Sequence, residues 1–270
     1  VLALVKIGEP SVDPLIQALK DNDSLVRWQA SAALGLINDT RAADPLMLAL
    51  KDNNSDVRYW ASASLGMIND SRAVDPLIDA LKDDNITARG EALWAIRAIK
   101  GSETADLLIG ILKGDDNSAR RSAAWALGRT DDKRAVEPLI QALGDDDKNV
   151  RTEAAYSLGN LQDAEAIDPL ILVLGDNDSN VRAAATKALA EIGEPATDPL
   201  IQALQSGNSA VREGAADALG EIGDSRATKP LLQMLANDKD SNVKLSAARA
   251  LKEIGEEGHR FTIKPVGLNI

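Results

Sequence analysis

The sequence predicts an all-α array of helix pairs, and three observations predict it. A step such as Asp-Pro or Glu-Pro ends at Pro14, Pro45, Pro76, Pro138, Pro169, Pro199 and Pro230, with Leu107 in the vacant place, at intervals of 31 residues and one of 30. Two further markers keep that step. Basic residues stand at Arg27, Arg58, Arg89, Arg120, Arg151, Arg182, Arg212 and Lys244, and eight residues on come Gly35, Gly66, Arg97, Gly128, Gly159, Ala190, Gly220 and Lys252. Composition is the third: 44% of the 270 residues are hydrophobic but only 3% are aromatic, so the apolar mass is Ala, Leu, Ile and Val. Such a core suits thin, closely packed helices better than β-sandwiches, which favour β-branched and aromatic residues. A period near 30 residues marks a solenoid or array.

Each unit reads as two helices. The first carries Pro76, Leu77, Ile78, Ala80 and Leu81 or their equivalents. Asp75 is read as its N-cap, with Pro76 in the first turn, where its missing N–H has no partner to lose. Arg72-Ala73-Val74 reads as a short 3₁₀ turn ahead of it. A polar break such as Lys51-Asp52-Asn53-Asn54-Ser55 follows. In the second helix Val26, Ala30, Ala33, Leu34 and Ile37 fall on one face of a 3.6-residue period. Neither helix can bury its stripe alone; stacked units bury it continuously, which makes stability a nearest-neighbour property. The Gly column holds Arg97 and Lys252 as exceptions, so it calls for small residues at a close helix approach, with the exceptions pointing outward.

Leu4 to Ile7 aligns with Leu189 to Ile192, the end of a second helix, so the array is expected to begin inside a repeat and to hold eight complete pairs, about sixteen helices. The chain opens on Val1 rather than Met, and its true N-terminus is expected to lie further upstream. The repeat domain is read as residues 1–255, elongated and without sheet. Residues 256–270 break the pattern: Glu256 to His259 are read as ending the last helix, and Phe261 to Val266 alternate weakly. This tail is read as a cap on the last repeat or a lead into a further segment.

Charge and composition exclude several function classes. With 30 Lys+Arg against 42 Asp+Glu, a net charge of −12, the chain lacks the basic surface that nucleic acid or anionic lipid requires. No cysteine and one His leave no disulfide, no thiolate site and no multi-His metal site. Neither a metal nor a cofactor is expected, and no apolar run approaches the ~18 residues of a membrane span. The acidic turns imitate a calcium loop, as in Asp176, Asp178 and Asn180, but position six is Val181 and position twelve Lys187, where Gly and Glu belong. The same failure recurs at Asp145 and Asp238. These Asp, Asn and Ser residues are read as caps for the second helix, and the Asn-x-Ser/Thr sequons at Asn22, Asn38, Asn53, Asn69, Asn85 and Asn177 as a by-product of turn composition. The sequence names no compartment; a cytoplasmic one is favoured.

The segments Val150 to Gly159 and Asp131 to Ile140 resemble the HEAT-like repeats of the phycobilisome-lyase type, and the resemblance covers about residues 1–255. It implies a right-handed α-α superhelix of about eight repeats of ~31 residues, with second helices lining a concave groove. It also implies an Asp–Arg ladder: Asp21, Asp52, Asp83, Asp145, Asp176 and Asp238 each stand six residues before the basic column, and hydrogen-bonded Arg–carboxylate pairs are geometrically specific enough to register a stack. Such repeats occur in scaffolds, bilin lyases and a metal-dependent hydroxylase. The hydroxylase holds its metal on paired His-Glu motifs; this sequence has none, and its sole His259 lies outside the repeats.

Counted from the basic residue of each second helix, offsets one, two, five and nine share a face, the one that the resemblance turns into the groove. All four Trp and both Tyr fall there, on 32 of 270 positions, where chance would place fewer than one of the six. The candidate binding residues are Trp28, Tyr59, Trp60, Trp94, Trp125 and Tyr156, with Arg121 and Arg129 as polar anchors and Glu213 and Asp217 in an acidic second half. Tyr and Trp are enriched at binding hot spots, and large exposed apolar patches mark interaction sites. The expectation is a non-enzymatic scaffold that binds a protein or peptide, with apolar groups toward the first half and basic groups toward the second. The alternative is a bilin-lyase-like small-ligand protein, a pigment stacking on Trp94 and Trp125 with its carboxylates on Arg121 and Arg129.

Overall fold

The structure is a computed structural model that describes the backbone of residues 2–262 and the side chains of residues 5–255. The chain divides into two compact units, up to Ala126 and from Leu127 onward. The first contains α1 (Leu2–Ile7), α2 (Val12–Ala18), α3 (Ser24–Ile37), α4 (Ala43–Ala49), α5 (Ser55–Ile68), α6 (Val74–Ala80), α7 (Ile86–Lys100), α8 (Thr104–Leu112) and all but the last residue of α9 (Asn117–Leu127). The second contains α10 (Val136–Ala142), α11 (Lys148–Leu161), α12 (Ile167–Val173), α13 (Ser179–Ile192), α14 (Thr197–Ala203), α15 (Ser209–Ile222), α16 (Thr228–Asn237) and α17 (Ser241–Thr262). After α1 these are eight pairs. No strand occurs among the described residues.

A 3₁₀ turn precedes each first helix, as at Ser71–Ala73 before α6. This moves the helix start. Asp75 lies inside the first turn of α6 and Ala73 is the N-cap, without a side-chain cap bond, so the cap role read for Asp75 is corrected. Asp70 does the capping instead, accepting from the Arg72 N–H at 2.9 Å at the start of the 3₁₀ turn. Asp75 still complements the helix dipole from the first turn. The second helices are capped as expected: Asp23, Asn54, Asn85, Asp147, Asp178 and Asn208 each accept from a backbone N–H of the following turn.

Offset seven of the second helices is buried at Leu34, Leu65 and Ile96 in the first unit and at Leu158, Leu189 and Leu219 in the second, and half-buried at Leu251 in the last helix. Small residues beside it let successive second helices touch. A Cβ on Gly35 would stand 2.8 Å from the Ser64 Cα, so α3 and α5 meet backbone to backbone there. Arg97 and Lys252, the exceptions in that column, are exposed, as the outward reading requires.

Within each unit the basic column ties repeats to their successors. Arg27 places Nε and Nη2 on the two carboxylate oxygens of Asp52 at 2.7 and 2.8 Å, and its Nη1 donates to the Asp21 carbonyl at 2.8 Å. The same fork joins Arg58 to Asp83, Arg151 to Asp176 and Arg212 to Asp238. The aspartate six residues before each Arg therefore offers its carbonyl to its own repeat and its carboxylate to the preceding one. The Arg27 hydrogen bond holds the Asp52 carboxyl below the usual carboxylate range, against the opposing pull of burial. Two rungs lack this partner: Arg89 faces Gly114 and Arg182 faces Ser206 in the column. Arg89 still donates Nη1 to the Asp83 carbonyl at 2.9 Å, but its buried Nε has no acceptor.

The last helix does not end at Glu256 to His259; its backbone continues to Thr262. Nothing in that segment is a Pro or a β-branched run, and Gly258 alone does not stop a helix already propagated for four turns. The reading of Ile263 onward as a cap or lead falls outside the described residues.

Candidate functional site

In the first unit the face at offsets one, two, five and nine carries a connected aromatic cluster. Trp28 on α3 stacks on Trp60 of α5, ring centres 6.0 Å apart and planes 20° from parallel. Tyr59 meets Trp60 edge-on, at 5.4 Å and 84°. All three are half-buried. Trp94, on α7, is 48% exposed and leans over Gly66, where a Cβ would come within 2.7 Å of the ring. Leu36 and Met67, at offset nine, are 53% and 40% exposed. Rings, thioether and leucine thus form one apolar surface across three repeats.

Trp125 departs from this pattern. It is only 6% exposed, and the Arg89 guanidinium lies over its ring, 5.2 Å from the centroid. A large ring thus enters the edge of the Ala-rich stack here. It takes the place beside Arg89 that an aspartate fork occupies elsewhere. Trp125 therefore offers no face for a pigment to stack on. Arg121 is exposed on the same unit.

Glu91 was not singled out by the sequence among the candidate site residues. It stands at offset two of α7, the place of Trp60 in α5, and its carboxyl is pushed up by burial, an effect tempered by the Tyr59 hydroxyl. The Tyr59 phenol is raised in turn, first by burial and then by the Glu91 charge. The available signal was the diagonal: offset one of a helix meets offset two of the next, so the geometry that stacks Trp28 on Trp60 sets Tyr59 beside Glu91.

The second unit presents a different face. Arg129 is exposed, Tyr156 and Glu213 half-buried. Asp217 pairs with Arg249 at 3.2 Å, and Arg249 also donates to the Ser246 hydroxyl at 2.9 Å. These two, with Ala183, Thr186, Glu221 and Glu253, line a depression of about 310 Å³. The Glu221 carboxyl is pushed up by burial and then by the Glu253 and Asp217 charges. A larger cavity, about 560 Å³, lies between α12 and α14 on the side of the first helices, lined by Ile171, Leu172, Pro199 and Val211 among others. Among the described residues no cluster of His, Cys, Asp and Glu is placed to hold a metal ion, and no helix is long and apolar enough to cross a membrane.

The family model for HEAT repeats matches residues 1–66, 43–124, 105–178 and 167–252. No curated protein matches the sequence. Among solved structures, human deoxyhypusine hydroxylase is 24% identical over 93% of this chain and 98% of its own, with a TM-score of 0.39. A chain of the CpcE–CpcF phycocyanin lyase complex from Nostoc is 23% identical over 94% of this chain and 90% of its own, at a TM-score of 0.35. A chain of the Kap95p–RanGDP complex is 14% identical over 90% of this chain and 41% of its own, at 0.54. That last likeness is one of fold.

Proposed function

The chain belongs to the HEAT-repeat family, and on that premise we propose that it is a non-enzymatic scaffold whose second-helix face binds a protein or peptide. A HEAT-repeat array presents successive helices at regular spacing, an arrangement suited to extended partners. The observation that carries the reading is the open apolar surface of the first unit, where Trp94, Leu36 and Met67 stand exposed beside the Trp28–Trp60 stack. Monomeric proteins rarely expose a contiguous surface of this kind without an interaction to cover it. A rigid array also loses little further conformational entropy on binding. In the second unit the depression lined by Asp217, Glu221 and Glu253 favours basic groups of the partner.

The test is capture of partners by the wild-type chain and by the double variant Trp60→Ala, Trp94→Ala, with far-UV circular dichroism on both. A protein retained by the wild type and lost by a folded double variant supports the reading. Equal retention by both removes the aromatic face from the function.

A further inference from the structure

The turn between α14 and α15 departs from the ladder by one side chain. Ser206 stands seven residues after Pro199 and six before Arg212, the register that Asp176 keeps to Pro169 and Arg182. It performs the backbone half of the column's task, its carbonyl accepting from Arg212 Nη1 at 2.9 Å. Its hydroxyl accepts from the Asn208 N–H at 3.2 Å. The Asp52, Asp176 and Asp238 carboxylates accept in the same way from the N–H two residues on, at 2.9, 2.8 and 2.9 Å. The turn is thus that of the other rungs, with a hydroxyl where the preceding arginine would meet a carboxylate.

That arginine is Arg182. Its Nη1 donates to the Asp176 carbonyl at 2.8 Å and the Asn177 carbonyl at 3.2 Å, the anchorage that Arg27 and Arg151 also have. In those two the Nε and Nη2 edge closes on both carboxylate oxygens of Asp52 or Asp176. Among the described residues the same edge of Arg182 meets no acceptor. It is open to solvent, because the one buried side-chain nitrogen or oxygen without a partner among those residues is Arg89 Nε. No ring covers it either: Asp217 stands in the register of Trp125, and its carboxylate pairs with Arg249 at 3.2 Å. Ser206 lines both the cavity of about 560 Å³ between α12 and α14 and a depression of about 450 Å³ beside Arg212. A small solute therefore reaches its hydroxyl from either side.

The rung offers donors: two guanidinium N–H groups and a hydroxyl whose oxygen already accepts. A guanidinium fork matches a planar carboxylate with two parallel hydrogen bonds. Here the fork is held in place beforehand, which lowers the entropy lost on binding. The chain contains the bound form of this contact at Arg27, Arg58, Arg151 and Arg212, with the carboxylate supplied by its own aspartates. The net charge of −12, with Asp176 and Asp178 in the adjoining turn, favours a monoanion over a dianion such as phosphate.

We propose that the Arg182–Ser206 rung binds an external carboxylate, which takes the bidentate place of the aspartate and accepts from the Ser206 hydroxyl. The carboxylate is that of a small organic acid or of an acidic polypeptide side chain. The site is independent of the aromatic face of the first unit.

The experiment is nuclear magnetic resonance of the arginine Nε–H groups in the full chain, titrated with acetate at constant ionic strength. The neutral isostere acetamide and inorganic phosphate serve as comparisons. The expected result is a saturable shift of the Arg182 resonance, at least tenfold weaker with acetamide and weaker with phosphate, while Arg151 and Arg212 do not move. Ser206→Asp, which supplies the carboxylate from the chain, should raise Tm and weaken acetate binding at least tenfold. Arg182→Lys keeps the charge but not the fork and should abolish the rise in Tm that acetate gives the wild type; it decides the matter if the Asp variant does not fold. N-acetyl-aspartate amide separates the two sources: binding as tight as that of acetate supports a polypeptide side chain, and tenfold weaker binding a small free acid. An equal shift with acetamide, an undiminished acetate shift in Ser206→Asp, or no saturable shift at all would overturn the inference. Tighter binding of phosphate would overturn the selection of a carboxylate.

Discussion

The guanidinium of Arg89 rests on the indole of Trp125, 5.2 Å from its centre, where its equivalents Arg27, Arg58, Arg151 and Arg212 fork an aspartate of the following repeat. The substitution has a cause in the sequence: the column that supplies the aspartate holds Gly114 at this rung. The ring covers the cation but cannot accept from its Nε, which is left buried and without a partner. Gly114→Asp should restore the rung and stabilise the first unit by about 1 kcal/mol, read as a rise of a few degrees in Tm. Asp52→Ala should do the reverse, stranding Arg27 at a cost of about 3 kcal/mol. Thermal unfolding of the two variants checks both signs; a neutral or destabilising Gly114→Asp would show that the ring contact fully replaces the fork.

Removing the Trp125 ring should act on stability. Trp125→Ala deletes a buried side chain and uncovers Arg89, with an expected loss of about 3–5 kcal/mol. Trp94→Ala removes a ring that is 48% exposed and should change stability far less. Denaturant midpoints of the two variants give the comparison. Equal losses would mean that Trp94 is a packing residue, held over Gly66 for the sake of the stack.

The pH dependence has two limbs of opposite sign. Asp52 and Asp238 are depressed by their Arg27 and Arg212 hydrogen bonds. The folded state binds their protons less tightly than the unfolded one, so the stability they contribute is complete above the unfolded value of about 4 and is lost as pH falls through the folded values. Glu91 and Glu221 are raised, chiefly by burial. The folded state binds their protons more tightly, so stability falls as pH rises through their folded values. These two limbs place the maximum near the unfolded carboxylate values, a little above pH 4. Glu91→Gln should flatten the upper limb without touching the lower one. Denaturant midpoints across pH 3–8 measure the profile; an unchanged upper limb in that variant would contradict the assignment to Glu91.

Much of this architecture was legible from spacing alone. The three columns in step gave the helix pairs, and Arg97 and Lys252 revealed that the Gly column is a close approach and not a turn, as the Gly35–Ser64 contact bears out. The start of the first helices was misread at Asp75 because the 3₁₀ turn feeds directly into the helix, which shifts the cap to Ala73 and the side-chain bond to Asp70. The end of α17 was misread because a glycine near a chain end resembles a stop signal, although it lowers propensity only modestly. On the candidate face, helical offsets put Trp28 and Trp60 on one side but gave neither their stacking nor the fate of Trp125. Offsets assign a direction to a side chain; whether a neighbouring Arg covers it depends on a residue 25 positions further along the column, Gly114. Glu91 was passed over for the related reason that its surroundings come from α5, one repeat before it.

In the second unit Glu213 and Asp217 should govern the rate of association more than its strength. Long-range attraction of a basic partner depends on exposed carboxylates and is screened by salt. Glu213→Gln with Asp217→Asn should lower the association rate and weaken its dependence on ionic strength. Arg249 loses its 3.2 Å partner in that variant and keeps its positive charge unmasked, which further disfavours a basic partner. Stopped-flow association with a captured partner at low and physiological salt reports the change; an unaltered salt dependence would remove this face from the encounter.

In the proposed function the aromatic face of the first unit makes the contact that holds a partner. Isothermal titration of a captured partner into the wild-type chain and into Trp60→Ala, Trp94→Ala tests it most directly. The affinity of the variant should be lower by at least about 2 kcal/mol, the scale of a hot-spot loss, with its circular dichroism unchanged. An unchanged affinity in a folded variant, or a loss of fold with affinity intact in what remains, would make these rings elements of packing and contradict it.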